Sequence, residues 1–286
     1  MKVSVLGTGI MGSGICKVLA VAGFDVTAWN RTHSKAAALE TSELPRLRAE
    51  SDLSQAVADA DVIMVVAFDA DSVIDVMGSC VDAAPHSAMW MQMATIGAEG
   101  AHRVRDFACN HDISAVETMM MGSRDQAASS RLILIGGGKP ELFKALEPLT
   151  SAIAQKTVIA GDTIGDGTAV KLACNAWIAG ITVTAAQSVQ LLKHEGVNPQ
   201  LFLDVIEGGT SDSPYAHMKG GKAISGDYSS QFEISALAKD MNLMREVMKT
   251  TGMRCDFLDT LIGLYSQASE AGHAHDDISA VAETFA

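Results

Sequence analysis

The chain has 286 residues, 48% of them hydrophobic and 19% charged, with a formal net charge of −13. That length suits two domains with a sizeable core, and so acidic a chain argues against a broad nucleic-acid-binding surface. The five cysteines, Cys16, Cys80, Cys109, Cys174 and Cys255, are scattered without a Cys-x-x-Cys pair. This argues against a disulfide framework or a metal centre and points to a reducing, cytoplasmic setting.

Lys2–Leu6 reads as a short apolar strand running straight into Gly7-Thr8-Gly9-Ile10-Met11-Gly12, a start unlike that of a signal peptide. Ile15, Val18, Leu19 and Ala22 then recur at helical spacing until Gly23, and Asp25–Trp29 reads as a second strand. A strand, glycine turn, helix and strand within about 30 residues form the first unit of a doubly wound sheet. Further strands are expected at 61–67, 88–93, 113–116 and 131–135, with helices at 34–39, 71–77 and 99–109. Such alternation predicts a mostly parallel sheet with helices on both faces.

From 163 to 193 the pattern is helical and apolar nearly all round, through Val170, Leu172, Ile178, Ile181, Val189, Leu191 and Leu192. A helix of that length, about 45 Å, is a central one, buried by its neighbours or by a partner subunit, and Trp177 reads as core. No unbroken apolar run reaches the roughly 20 residues needed to cross a bilayer, so no membrane association is expected. Helices follow at 199–207, 235–250 and 255–271. Gly208-Gly209-Thr210-Ser211 reads as a turn between helices, either bordering a cleft or a plain loop, His273 and His275 as a solvated loop, and Asp276-Asp277 as a solvated pair before a last helix. The boundary falls between Ala160 and Gly161. The expected fold is α/β: a Rossmann-type doubly wound sheet over 1–160, followed over 161–286 by an all-α domain with a long central helix.

A glycine turn between a strand and a helix is the setting of a dinucleotide site. Gly7 permits the tight turn, Gly9 lets the backbone approach a pyrophosphate, and Gly12 lets helix and strand come close. The N–H groups at the helix start, at Ile10 and Met11, supply the anion site. An NAD site carries an acid at the end of the second strand, about 20 residues on. Here stand Asn30-Arg31-Thr32, which favour NADP(H). Arg31 can stack on adenine and pair with a 2′-phosphate, and Thr32, Ser34 and Lys35 add donors. The alternative for Arg31 is a solvated surface charge.

Lys171 and Asn175 stand four apart, on one helical face in an apolar segment. A lysine there either snorkels to water or faces a cleft. In a cleft it can donate a proton to a carbonyl oxygen, and partial burial would loosen its hold on that proton. Asn175 would hold the same oxygen. Without further context, one lysine and one asparagine on a helix are mostly structural.

The chain resembles the β-hydroxyacid dehydrogenase family, which includes 3-hydroxyisobutyrate dehydrogenases and glyoxylate/succinic semialdehyde reductases. The resemblance runs from the glycine turn to the C-terminus. It rests on Gly7-Thr8-Gly9-Ile10-Met11-Gly12, on Gly165-x-Gly167-x-x-x-Lys171-x-x-x-Asn175 and on Lys239-Asp240-Met241-Asn242-Leu243. It implies a Rossmann domain and a helical domain with the active site in the cleft between them, assembled as homodimers or homotetramers through the helical domain. It makes Lys171 the catalytic lysine, Asn175 its helper and Lys239 a lysine at the nicotinamide–substrate cleft, with Asp240 beside it. The stretch Trp29-Asn30-Arg31-Thr32 resembles that of NADPH-using members.

Three departures bear on substrate. The family's Ser-Thr-x-x-Pro is Ala94-Thr95-Ile96-Gly97 here, so only the Thr95 hydroxyl remains at the cofactor and substrate pocket. Its Asp-Ala-Pro-Val-Ser-Gly-Gly is Glu117-Thr118-Met119-Met120-Met121-Gly122-Ser123, and Cys174 replaces the first asparagine after the lysine. Met121 with Gly122 would give a more apolar substrate wall, or the methionines are plain core. Ser123 or Arg124 would anchor an acid group, or Arg124 is a loop charge facing water. The leading expectation is an NADP(H)-dependent oxidoreductase interconverting a small aldehyde or oxo acid and a hydroxy acid. The alternatives are an NADPH-dependent imine reductase and a non-catalytic NADP(H)-binding regulatory protein.

Overall fold

The computed structural model describes residues 1–286, which divide into two units, Met1–Lys171 and Leu172–Ala286. The first unit alternates β1 (Lys2–Leu6), α1 (Ile10–Val21), β2 (Asp25–Trp29), α2 (His33–Ala37), β3 (Leu47–Glu50), α3 (Leu53–Val57), β4 (Val62–Val65) and α4 (Ala70–Cys80). It continues with β5 (Met89–Gln92), α5 (Gly97–Asn110), β6 (Ser114–Met121), α6 (Arg124–Ala127), β7 (Leu132–Gly137), α7 (Pro140–Ile153), β8 (Ala154–Gly161) and the start of α8 (Asp166–His194). One sheet results, in the order β3-β2-β1-β4-β5-β6-β7-β8. All pairs are parallel except β6–β7, and β8 pairs with β7 in parallel.

The side-chain period of two in a strand explains the layering. Val3, Val5, Val62, Met64 and Met91 face one core, shared with Ile15 and Leu19 of α1 and Leu146 and Leu149 of α7. Leu6, Ile63, Val65 and Trp90 face the other, with Val57 of α3, Val73 of α4 and Val104 of α5. A strand buried on both faces reads as a continuous apolar run, and the central strands do so.

The second unit holds the rest of α8, with α9 (Gln200–Ile206), α10 (Pro214–Ser225), α11 (Ile234–Thr251) and α12 (Asp256–Ala268). A π-helical turn (Ser269–His273) and a final 3-10 stretch (Ile278–Phe285) complete it. Its core joins Ala179, Val183, Ala186 and Val189 of α8 to Leu237 and Met241 of α11, Leu258, Leu261 and Tyr265 of α12, and Ile278 and Val281 of the last stretch.

Three readings change here. Trp177 is 67% exposed, because Ile178, Ala179, Thr182 and Val183 take the buried face and Trp177 shares the outer one with Thr184 and Leu191. Asp277 is fully buried, not solvated. Its carboxylate accepts from Lys219 Nζ at 2.8 and 2.9 Å, from Ser279 N and Oγ at 3.1 and 2.7 Å, and from Gln231 N at 3.1 Å. Asp276 stays half-exposed against His273. Finally, α8 is long and apolar enough to cross a bilayer, with a mean hydropathy of 1.4 over its most apolar stretch, against the expectation that no segment was. Half of that stretch is buried within the protein, as in a core helix.

Candidate active site

The glycine turn follows β1, which lies between β2 and β4, where the strand order reverses. In open α/β sheets such a switch point holds the ligand at the carboxyl ends of the strands. Gly7 has φ 116°, and a Cβ there would strike the Val66 carbonyl. A Cβ on Gly12 would strike the carbonyl of Gly7. A Cβ on Gly9, by contrast, would meet nothing within 4 Å. Helix α1 begins with no side-chain cap and no acid in its first turn. The N–H groups of Ile10, Met11 and Gly12 therefore face an open space, and the Thr8 hydroxyl is buried there without a partner. Open room, uncapped donors and an orphaned hydroxyl fit a dinucleotide's pyrophosphate.

Asn30 serves this turn from the end of β2. Its Oδ1 accepts from Thr8 N at 3.1 Å, and its Nδ2 donates to the Thr32 carbonyl at 3.1 Å. It fixes the turn rather than reaching outward. Arg31, Thr32, His33, Ser34 and Lys35 are all exposed. Every other arginine of the chain has a hydrogen-bond or ion-pair partner. The Arg31 fork has none, in a chain of net charge −13. His33 beside it is a donor that sequence reasoning passed over.

Strand β6 forms the bed of the first turns of α8. Its alternate residues Glu117, Met119 and Met121 share one face. Glu117 Oε1 accepts from Gly165 N at 2.7 Å and Thr168 N at 3.0 Å, and Oε2 accepts from Thr168 Oγ1 at 2.6 Å. Met119 Sδ lies 3.9 Å from the same hydroxyl. One turn later Lys171, 8% exposed, sets its Nζ 3.3 Å from Met121 Sδ. Burial pushes the Glu117 carboxyl above the usual carboxylate range, while hydrogen bonds from Thr168 and Gly165 pull the other way.

Thr95 lies beyond the end of β5, partly buried just before α5. Gly122 has φ 145°, and its Cβ would crowd Leu132. Ser123 caps α6 reciprocally with Gln126, whose Oε1 accepts from Ser123 N at 2.8 Å. Its hydroxyl is turned toward that helix. Arg124 is exposed.

In the second unit, Asn175, Lys239 and Asp240 form one cluster. Asn175 is 2% exposed and its Nδ2 donates to Asp240 Oδ2 at 2.6 Å. Lys239 Nζ pairs with Asp240 Oδ1 at 2.9 Å. The structure thus gives Asp240 to Asn175 and Lys239 as an anchor. The Asn175 Oδ1 is buried without a hydrogen-bond partner. Sequence reasoning quoted Glu117 but gave it no role. Its one signal was a carboxylate inside an apolar strand.

Residues 2–161 match the NAD binding domain of 6-phosphogluconate dehydrogenase. Residues 165–285 match the family domain described as NAD-binding of NADP-dependent 3-hydroxyisobutyrate dehydrogenase. The chain belongs to the β-hydroxyacid dehydrogenase family. A glyoxylate/succinic semialdehyde reductase of Arabidopsis thaliana is 25% identical over 99% of this chain and 79% of its own length. The fold is that of a 3-hydroxyisobutyrate dehydrogenase from Salmonella typhimurium, with TM-score 0.89, 21% identity and 99% of each chain covered. An imine reductase from Myxococcus stipitatus is also similar, at TM-score 0.67, 18% identity and 99% of each chain. This β-hydroxyacid dehydrogenase is accordingly an NAD(P)-dependent oxidoreductase acting on a small molecule.

Proposed function

We propose that the enzyme reduces small aldehydes or oxo acids with NADPH, and oxidises the matching hydroxy acids in reverse, with Lys171 as proton donor and acceptor. The observation that carries this is the buried Lys171 ammonium beside Met121. Met121 ends β6, which runs parallel to β1 through β5 and β4. Lys171 therefore sits at the carboxyl edge of the sheet, the edge from which the glycine turn rises. An ammonium carries three N–H donors, and a lysine held at this edge can pass one of those protons to a substrate oxygen. When bound, the nicotinamide supplies or accepts the hydride. Lys171 gives a proton to the carbonyl oxygen in reduction and takes it back in oxidation. Asn175 has its amide tied to Asp240 and its Oδ1 left to accept from a substrate hydroxyl.

Arg31, with His33, Ser34 and Lys35 beside it, supports NADP(H) over NAD(H): a planar fork without an internal partner suits a phosphate. The methionine at the lysine also supports a second reading, reduction of an apolar imine, to which a preformed iminium would need less acid help. The outward Trp177 and Leu191 of α8, with Phe257, support assembly as a homodimer or homotetramer. Five free thiols suit the reducing cytoplasm.

The test is NADPH consumption against glyoxylate, succinic semialdehyde, methylglyoxal and a cyclic imine, with NADH in parallel. An acidic aldehyde is expected to turn over, and Lys171→Ala to bind NADPH but lose about 10²–10⁴-fold in kcat. Turnover of the imine alone would establish the second reading. Unchanged turnover in Lys171→Ala would remove the lysine from the chemistry. NADPH binding by the wild type with no turnover would favour a regulatory protein.

A further inference from the structure

Glu117 is fully buried, yet none of the roles above uses it. Its carboxylate takes two backbone N–H groups and one hydroxyl, all from residues 165–168, where α8 begins. A helix start leaves such donors without intrahelical partners, and its dipole favours a negative group there. Two glycines make the room: a Cβ on Gly137 would lie 2.5 Å from Glu117 Oε1, and one on Gly167 would lie 3.1 Å from it. Gly165 turns the chain into the helix with φ 120°. The pair Gly165-x-Gly167 is thus a receptor shaped for this carboxylate. Thr168, which gives Glu117 both its N–H and its hydroxyl, precedes Lys171 by three residues and shares its face.

We propose that Glu117 is a positioning residue for Lys171: by gripping Thr168 and Gly165 it fixes the rotation and start of α8, and so the place of the ammonium along β6. This rests on the reading of Lys171 as the proton donor. A side chain one turn from a clamped residue has little freedom to wander, and a displacement of about 1 Å in a catalytic group costs about 100-fold in rate.

Thr168→Val removes the hydroxyl and keeps the shape, Thr168→Ser restores it, and Glu117→Gln keeps the backbone acceptor without the charge. Leu149→Ala, in the α7 core, serves as a control of lowered stability. Two readouts are taken on folded protein: kcat against the KM for NADPH, and the rate at which an amine-reactive reagent labels the Lys171 peptide, followed by mass spectrometry. Thr168→Val and Glu117→Gln are expected to lose about 100-fold in kcat with the KM for NADPH within about twofold. Lys171 labelling should rise about tenfold as the charge-assisted grip is lost, and Thr168→Ser should return both to wild type. The proposal fails if labelling and kcat in Thr168→Val and Glu117→Gln match the wild type or Leu149→Ala. If Lys171→Ala retains full turnover, the catalytic reading falls, but labelling still decides whether Glu117 places the side chain.

Discussion

Arg31 shows how much one side chain can decide. Its guanidinium is exposed at the end of β2 and has no partner within the chain, so its donors are available to a 2′-phosphate. Arg31→Ala should raise the KM for NADPH about tenfold or more, the scale of one lost hydrogen bond to a charged group. The KM for NADH, which has no such phosphate, should hold. Steady-state kinetics with both coenzymes check this, and equal losses would show that Arg31 stacks on adenine instead. At this scale the glycines were legible, because Gly7 and Gly12 answer to backbone clashes that no other residue avoids. Asn30 was legible only as the absence of an acid. Its bond to Thr8 N depends on two segments 22 residues apart meeting, and the partners of Glu117 lie 48 to 51 residues away.

Whole elements were readable where burial imposes a pattern. β4, with all four residues buried, stood out as an apolar run. β8 did not: it is an edge strand with most residues exposed, and neither its alternation nor its apolarity is forced. β3 is a second short edge strand. Helix α7 carries Phe143, Leu146, Leu149 and Ile153 at helical spacing, a signal that was present but not taken up. The last 3-10 stretch answers to the helix expected after Asp276-Asp277, but its anchor, a buried charge, was not legible. Asp277 accepts from Ser279 N to start that stretch and from Lys219 on α10 to hold it. Asp277→Ala would leave Lys219 buried and unpaired, at a cost of about 3–5 kcal/mol, measurable by urea denaturation. Despite burial, which pushes the carboxyl up, Lys219 and Ser279 hold Asp277 below its ordinary 3.8. A depressed folded value means this stabilisation is complete above the unfolded value and disappears as pH falls through the folded one. Wild type should therefore lose stability below pH 3.8 along a slope that Asp277→Asn flattens. Equal acid slopes in the two proteins would count against the pair.

At the scale of the molecule, an acidic chain keeps large apolar side chains at its surface on the helical unit, with Trp177 67%, Phe257 67% and Leu191 60% exposed. If a second copy covers them, Trp177→Glu should shift sedimentation toward the monomer with unchanged circular dichroism. A monomeric wild type would end that reading. The sequence could announce a long apolar helix, but not which of its faces turns outward, because both carry large apolar residues. Strand direction has a consequence of its own. β6 runs toward the carboxyl edge, whereas β7 and β8 run back from it. Gly161, the end of β8, therefore lies level with Glu117 through Gly137. The chain thus leaves the sheet low, and α8 climbs beside β6, passing Glu117 at Thr168 before reaching Met121 at Lys171. Had the last two strands kept the heading of the first six, the chain would have emerged at the carboxyl edge already. A helix starting there would have carried its sixth residue, Lys171, past the rim and out of reach of the strand. The reversal is a return journey, and its length sets where the lysine arrives.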